Sequence, residues 1–127
     1  MKQHILLVDD DEKIIFVIKR LLESQYTVSV AENGHEALAL MSLSVPDLIL
    51  LDWNMPDING IELLKMIKTN DQIKKTPVAI ITSRFSEQDL EEAFDAGATE
   101  YLKKPFDRDD FISRIKTLLR ISKILLG

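Results

Sequence analysis

The sequence contains no cysteine, which excludes thiol nucleophiles, cysteine-ligated zinc and disulfide staples. Basic residues are not in excess. Lys and Arg number 16 against 21 Asp and Glu, a net charge of -5, which argues against a broadly nucleic-acid-binding surface. No apolar run approaches the roughly 18 residues of a membrane span. The opening Met1-Lys2-Gln3-His4 leads straight into a strand-like segment, without the layout of a signal peptide. A cytoplasmic protein with no membrane contact is therefore expected. Glycine-rich phosphate loops are also missing. Neither G-x-G-x-x-G after the first strand nor G-x-x-x-x-G-K-[ST] occurs, which speaks against flavin, dinucleotide and nucleotide sites of that kind.

What is present suits one globular unit. A chain of 127 residues, 46% hydrophobic and 29% charged, can bury roughly two-thirds of its unfolded surface and needs neither metal nor cross-link to hold a core. Residues 1–127 read as a single domain, free of repeats and low-complexity tracts. They could equally be one domain of a longer protein.

Strands and helices alternate along it. The run Ile5-Leu6-Leu7-Val8, bounded by polar residues, has the pattern of a strand buried on both faces. Asp11 is a plausible N-cap, and Ile14, Ile18, Leu21 and Leu22 then recur at helical spacing over about residues 12–24. A β-branched and aromatic segment, Tyr26 to Ala31, predicts a second strand, and Asn33-Gly34 opens a helix that Pro46 stops. Leu48 to Leu51 is the most apolar stretch and predicts the central strand. Leu63, Leu64 and Ile67 mark a third helix, residues 78–82 a fourth strand and residues 87–96 a fourth helix ending at Gly97. A short fifth strand over residues 99–102 and a last helix through Phe111, Ile115, Leu118 and Leu119 complete the chain. This order predicts an α/β fold, a single doubly wound parallel sheet of five strands with five helices on its two faces.

Sheets of this kind carry their sites at the carboxyl ends of the strands. Asp9, Asp10 and Asp11 follow the first strand, Asp52 the third, Thr82 and Ser83 the fourth, and Lys103-Lys104-Pro105 the fifth. Crowded carboxylates repel unless a cation or proton relieves them. With oxygen donors alone on offer, that cation is a hard one such as Mg2+. Carboxylate, metal, lysine and hydroxyl together suit a phosphoryl group. Each residue alone has a plainer role. Acidic triplets cap helices, Asp begins turns, Thr closes strands and Lys lies on surfaces. Independent accidents do not explain all of them at one edge of one sheet.

Asp9-Asp10 after an apolar strand, DWNMPDINGIELL from Asp52, PVAIITS from Pro77 and AGATEYLKKPF from Ala96 together resemble the receiver domain of bacterial two-component response regulators, over essentially the whole chain. The resemblance implies a flavodoxin-like strand order 2-1-3-4-5. It implies that Asp52 accepts a phosphoryl group from a phosphohistidine on a sensor histidine kinase or histidine phosphotransfer protein. Asp10, Asp52 and the backbone carbonyl of Asn54 would hold Mg2+, with Asp9 assisting. Lys104, before a cis proline bond, would pair with the phosphoryl group. Thr82 and Tyr101 would form the switch that reports phosphorylation. The implied chain is a signalling module that catalyses only its own phosphorylation and dephosphorylation. It would act on an output domain or protein and make no direct contact with nucleic acid.

Further expectations attach to single residues. The surface of the fourth helix, fifth strand and fifth helix, around Phe94, Tyr101 and Phe111, is expected to carry the output and to be the route to any homodimer. Strand alternation predicts that Trp53 points away from the core as a partly exposed filler. His4 and His35 sit in no motif, so the phosphoryl group comes from another molecule. Asn54 and Arg84 border the path of attacking water, and Arg84 either shields or recruits it. Ile121, Ile124, Leu125 and Leu126 exceed the stripe that covers the sheet, as a pairing surface or as a frayed tail. A haloacid-dehalogenase-type phosphatase is the competing reading. That family wants a second Asp two residues after the nucleophile, where Asn54 stands, and a nucleophile on the first strand.

Overall fold

A computed structural model describes all 127 residues. The elements are β1 (His4–Val8), α1 (Glu12–Leu22), β2 (Thr27–Ala31), α2 (Gly34–Leu43), β3 (Leu48–Asp52), α3 (Gly60–Lys68), β4 (Val78–Thr82), α4 (Glu87–Asp95), β5 (Glu100–Lys103) and α5 (Arg108–Leu126). The five strands form one sheet in the order β2-β1-β3-β4-β5, and every pairing is parallel. Both the class and the order match the expectation.

Strand periodicity divides the core in two. Leu6, Val8, Ile49, Leu51, Val78 and Ile80 face one layer, where they meet Ala37 and Met41 of α2, Leu63, Leu64 and Ile67 of α3, and Ala93 of α4. Ile5, Leu7, Leu48, Leu50, Ala79 and Ile81 face the other, against Ile18 and Leu22 of α1 and Phe111, Ile115, Leu118 and Leu119 of α5. Because the central strands are buried on both faces, they need unbroken apolar runs. Each fully buried Leu or Ile contributes about 1.5–3 kcal/mol relative to exposure, so these runs fix the strands ahead of any local propensity.

Helix starts are set by side chains. Asp11, Asn33, Asn59, Ser86 and Asp107 each accept a hydrogen bond from a first-turn amide of the helix that follows, at about 1 kcal/mol apiece. Helix ends differ slightly from the sequence pattern. α1 stops at Leu22, short of residue 24, because Gln25 and Tyr26 amides both turn back to the Leu22 carbonyl. Tyr26 consequently packs against the core ahead of β2. α4 gives way at Ala96 to Gly97, whose φ of 110° is the left-handed conformation glycine tolerates. β5 lies one residue later than expected.

Since all strands run the same way, Asp9, Asp52, Thr82 and Lys104 arrive at one edge. Connections leave β1 and β3 in opposite directions, towards β2 and β4. Asp9 and Asp52 thus flank the point where strand order reverses, the usual place for a site in such a sheet.

Candidate functional site

Asp9 is 1% and Asp52 7% exposed, while Asp10 is open to solvent. One carboxylate oxygen from each of the three lies within 4.8 Å of the others. Lys104 Nζ donates to Asp9 Oδ2 at 2.9 Å and to Asp52 Oδ1 at 3.3 Å. Asp9 is itself oriented from the backbone, its Oδ1 accepting from the Asp11 amide at 2.9 Å. Asp11 does not join the cluster; it caps α1, as expected.

The electrostatics follow from this crowding. Burial first, and the Asp9 charge second, push the Asp52 carboxyl up to about 6 against the pull of Lys104. For Lys104, burial alone would favour the neutral amine. The hydrogen bond to Asp9 and the charges of Asp52 and Asp9 outweigh it and hold the ammonium above its ordinary range. Three carboxylates against one ammonium remain under-compensated, and every donor is a hard oxygen. Such a donor set fits a divalent cation of the Mg2+ type.

Thr82 ends β4, 1% exposed, with its Oγ1 accepting from the Arg84 amide at 3.1 Å. Tyr101 is also buried, and its hydroxyl donates to the Arg84 carbonyl. Two backbone groups of Arg84 thus tie the residue after next from Thr82 to both expected switch side chains. The Arg84 guanidinium lies 4.4 Å over the Trp53 ring and pairs with Asp89 at 3.1 Å. The Lys104-Pro105 bond is cis.

Two expectations are corrected. Trp53 is 4% exposed and belongs to the core beside α3. Strand alternation stopped one residue too early to describe it, because β3 ends at Asp52 and the chain turns back, with the Gly60 amide donating to the Trp53 carbonyl. Phe111, expected on the output surface, is 1% exposed, stacked on Phe106 in the opposite core layer. Phe94 does face solvent, and so does Phe85, which the sequence reading overlooked. The pairing of Asp57 with His35 across the β3–α3 loop and the start of α2 was also missed. Separated by 22 residues, they leave no local sequence signal.

Comparison with known proteins bears on this site. Residues 5–116 match the family model described as the response regulator receiver domain. The transcriptional regulatory protein CpxR of Escherichia coli strain K12 is 44% identical over 119 residues, which cover 93% of this chain and 50% of CpxR. The chain spans about half the length of such curated relatives. The chemotaxis protein CheY4 of Vibrio cholerae superposes with a TM-score of 0.87 at 31% identity, covering 93% of this chain and 99% of that one. A response regulator from Chloroflexus aurantiacus gives a TM-score of 0.90 at 30% identity, over 94% and 99%.

Proposed function

The chain belongs to the response regulator receiver domain family, and from that premise we propose that Asp52 is the phosphoacceptor of a phosphorylation-dependent signalling module. The observation that carries the assignment is the convergence of Asp9, Asp10 and Asp52 within 4.8 Å, with Lys104 bridging the two buried members. Dehalogenase-type chemistry is not favoured. The nucleophile position ends the third strand, and Asn54 carries no proton-donating carboxyl.

In the proposed reaction a carboxylate oxygen of Asp52 attacks the phosphorus of a phosphohistidine on a histidine kinase or phosphotransfer protein. The new P–O bond forms as the P–N bond breaks. The bonding pair leaves with the imidazole nitrogen, which takes up a proton. Asp9, Asp10, Asp52 and the Asn54 carbonyl would hold Mg2+, which when bound supplies positive charge against that of nucleophile and phosphoryl group. Lys104 pairs with a phosphoryl oxygen. The Thr82 hydroxyl, now only an acceptor, donates to another. Burial of Asp52 keeps bulk water from the acceptor. The chain turns over no other substrate on this reading, and it works in the cytoplasm; no helix is long and apolar enough to cross a membrane.

Phosphorylation adds charge and three acceptor oxygens at Asp52. Thr82 moving towards them releases the Arg84 amide, and Arg84 is also where Tyr101 is tied. The signal thereby reaches the surface of α4, β5 and α5. That surface has a groove of about 280 Å3 lined in part by Phe85, Tyr101, Lys103, Phe106 and Arg114. An output domain or protein, or a second copy of the chain, reads it there. Residues 1–127 act as one domain.

One experiment addresses both parts. Incubation with acetyl phosphate and Mg2+ should add a single phosphoryl mass that Asp52→Asn lacks. Amide resonances near Phe85, Phe94 and Tyr101 should shift in the same sample. Modification at another residue overturns the acceptor assignment, and unmoved resonances overturn the output surface.

A further inference from the structure

The β3–α3 loop, residues 53–59, carries the Asn54 carbonyl placed above among the metal ligands, and it is pinned at its base and at its tip. At the base, the Gly60 amide donates to the Trp53 carbonyl at 2.7 Å. A Cβ on Gly60 would stand 2.3 Å from the Asp52 carbonyl oxygen and 2.8 Å from Trp53 Cα, so only glycine lets α3 start this close to the acceptor. At the tip, one side chain makes the attachment. Asp57 Oδ1 accepts from the Gly34 amide at 2.9 Å and from the Ile58 amide at 2.7 Å, and Oδ2 accepts from the His35 amide at 3.0 Å. The His35 ring Nδ1 bonds the same oxygen. Ile58 then packs so closely that a Cβ on Gly34 would be 2.9 Å from Ile58 Cβ.

This carboxylate does more than cap a helix. α2 already has its own cap, Asn33, whose Oδ1 accepts from the Glu36 amide at 2.8 Å. Asp57 instead divides its bonds between its own loop and a helix 22 to 23 residues away, which locks the two together. Its side chain is only 24% exposed. The partial burial that opposes its ionisation is outweighed by the amides of Gly34, His35 and Ile58 and by the His35 ring, so the carboxyl is held far below the ordinary carboxylate range. The lock is therefore charged at any physiological pH.

We propose that Asp57 is a positioning residue for divalent-metal binding: by fixing the 53–59 loop to the start of α2 it holds the Asn54 carbonyl at the acidic cluster. The proposal rests on the metal-site reading above and adds a residue that touches neither metal nor phosphoryl group. Outer-shell groups that hydrogen-bond a ligand directly are worth about 10- to 100-fold in metal affinity, and a support one bond further out belongs at the lower end of that range.

The test is a Mg2+ titration followed by Trp53 fluorescence and by the amide resonances of Asp9 to Asp11. Asp57→Ala should weaken Mg2+ binding about tenfold or more, whereas Asn33→Ala, which removes a cap from the same helix, should stay within about twofold of wild type. Both should lower the melting temperature, so stability alone does not separate them and metal affinity does. Asp57→Asn, which keeps one acceptor oxygen, should fall between and serves in place of the alanine variant if that one does not fold. Unchanged affinity in the Asp57 variants overturns the proposal. So does equal weakening in Asn33→Ala, which would reduce Asp57 to a helix cap. A wild-type protein silent to Mg2+ overturns the metal site itself, an outcome distinct from the other two.

Discussion

The two edges of the sheet are built from the same three residue types and put them to opposite use. At the amino-terminal edge stand Asp47, Thr76 and Lys68; at the carboxyl-terminal edge stand Asp52, Thr82 and Lys104. Asp47 Oδ2 accepts from the His4 amide at 2.7 Å, Thr76 Oγ1 donates to the Pro46 carbonyl at 3.1 Å, and Lys68 Nζ donates to the Thr76 and Lys74 carbonyls at 2.8 and 3.2 Å. Every side chain there is paired with neutral backbone. At the other edge the carboxylates face each other and the lysine faces carboxylates. The lysines record the difference. Partial burial lowers Lys68, which has no ion-pair partner, whereas Lys104 is partly buried too and ends above its ordinary range because of Asp9 and Asp52. Chemistry thus depends on what remains uncompensated, and the residue type alone does not decide it.

The lysines offer the strongest way to break this contrast. Lys104→Met should slow phosphoryl uptake from acetyl phosphate by about a hundredfold, the usual cost of losing one donor to developing charge, while Lys68→Met should stay within about twofold. Lys68→Met should instead lose about 1–3 kcal/mol of stability, since two carbonyls forfeit their donor. Equal rates in the two variants would erase the distinction between the edges.

Replacing the aspartates should shift stability in opposite directions. The Asp52 carboxyl sits at about 6 in the fold against 3.8 ordinarily, so between these values the folded chain holds the extra proton and stability falls as pH rises. Metal-free Asp52→Asn should accordingly be more stable than wild type above about pH 6, by about 1–2 kcal/mol after screening, with the gain gone below about pH 4. Asp47→Ala should lose about 1–2 kcal/mol, because the His4 amide is orphaned. Urea titrations across pH check both, and a destabilised Asp52→Asn contradicts the crowding described here.

The threonines give the smallest effect. Thr76→Val should cost about 1 kcal/mol and leave phosphorylation alone. Thr82→Val should slow uptake by less than about tenfold and shrink the amide response at Phe85 and Tyr101. A full response in Thr82→Val would remove Thr82 from the switch.

Much of this was legible because buried parallel strands demand unbroken apolar runs, and the residue after each run then marks the reactive edge. Asp9, Asp10, Asp52 and Thr82 were placed at that edge that way, and Lys104 from the strand order, since it follows the mixed segment Thr99 to Lys103. Rules of local periodicity fail where the chain leaves its element. Trp53 follows the last residue of β3, and its burial depends on the loop folding back through Gly60. Phe111 was misplaced for another reason. Its spacing with Ile115 and Leu118 already put it on the buried stripe of α5, and a stripe cannot serve the core and the surface at once. The Asp57–His35 link has no periodicity at all.

The bridge from Lys104 spans 95 residues to Asp9 and 52 to Asp52. During synthesis Asp52 therefore leaves the ribosome before Lys104 exists, and a chain cut short of Lys104 has the buried acidic pair without its cation. The Lys104 bridge needs β5 in place beside β4, and any opening of that strand withdraws it. The charge balance of the acidic cluster thus depends on whether the sheet is complete.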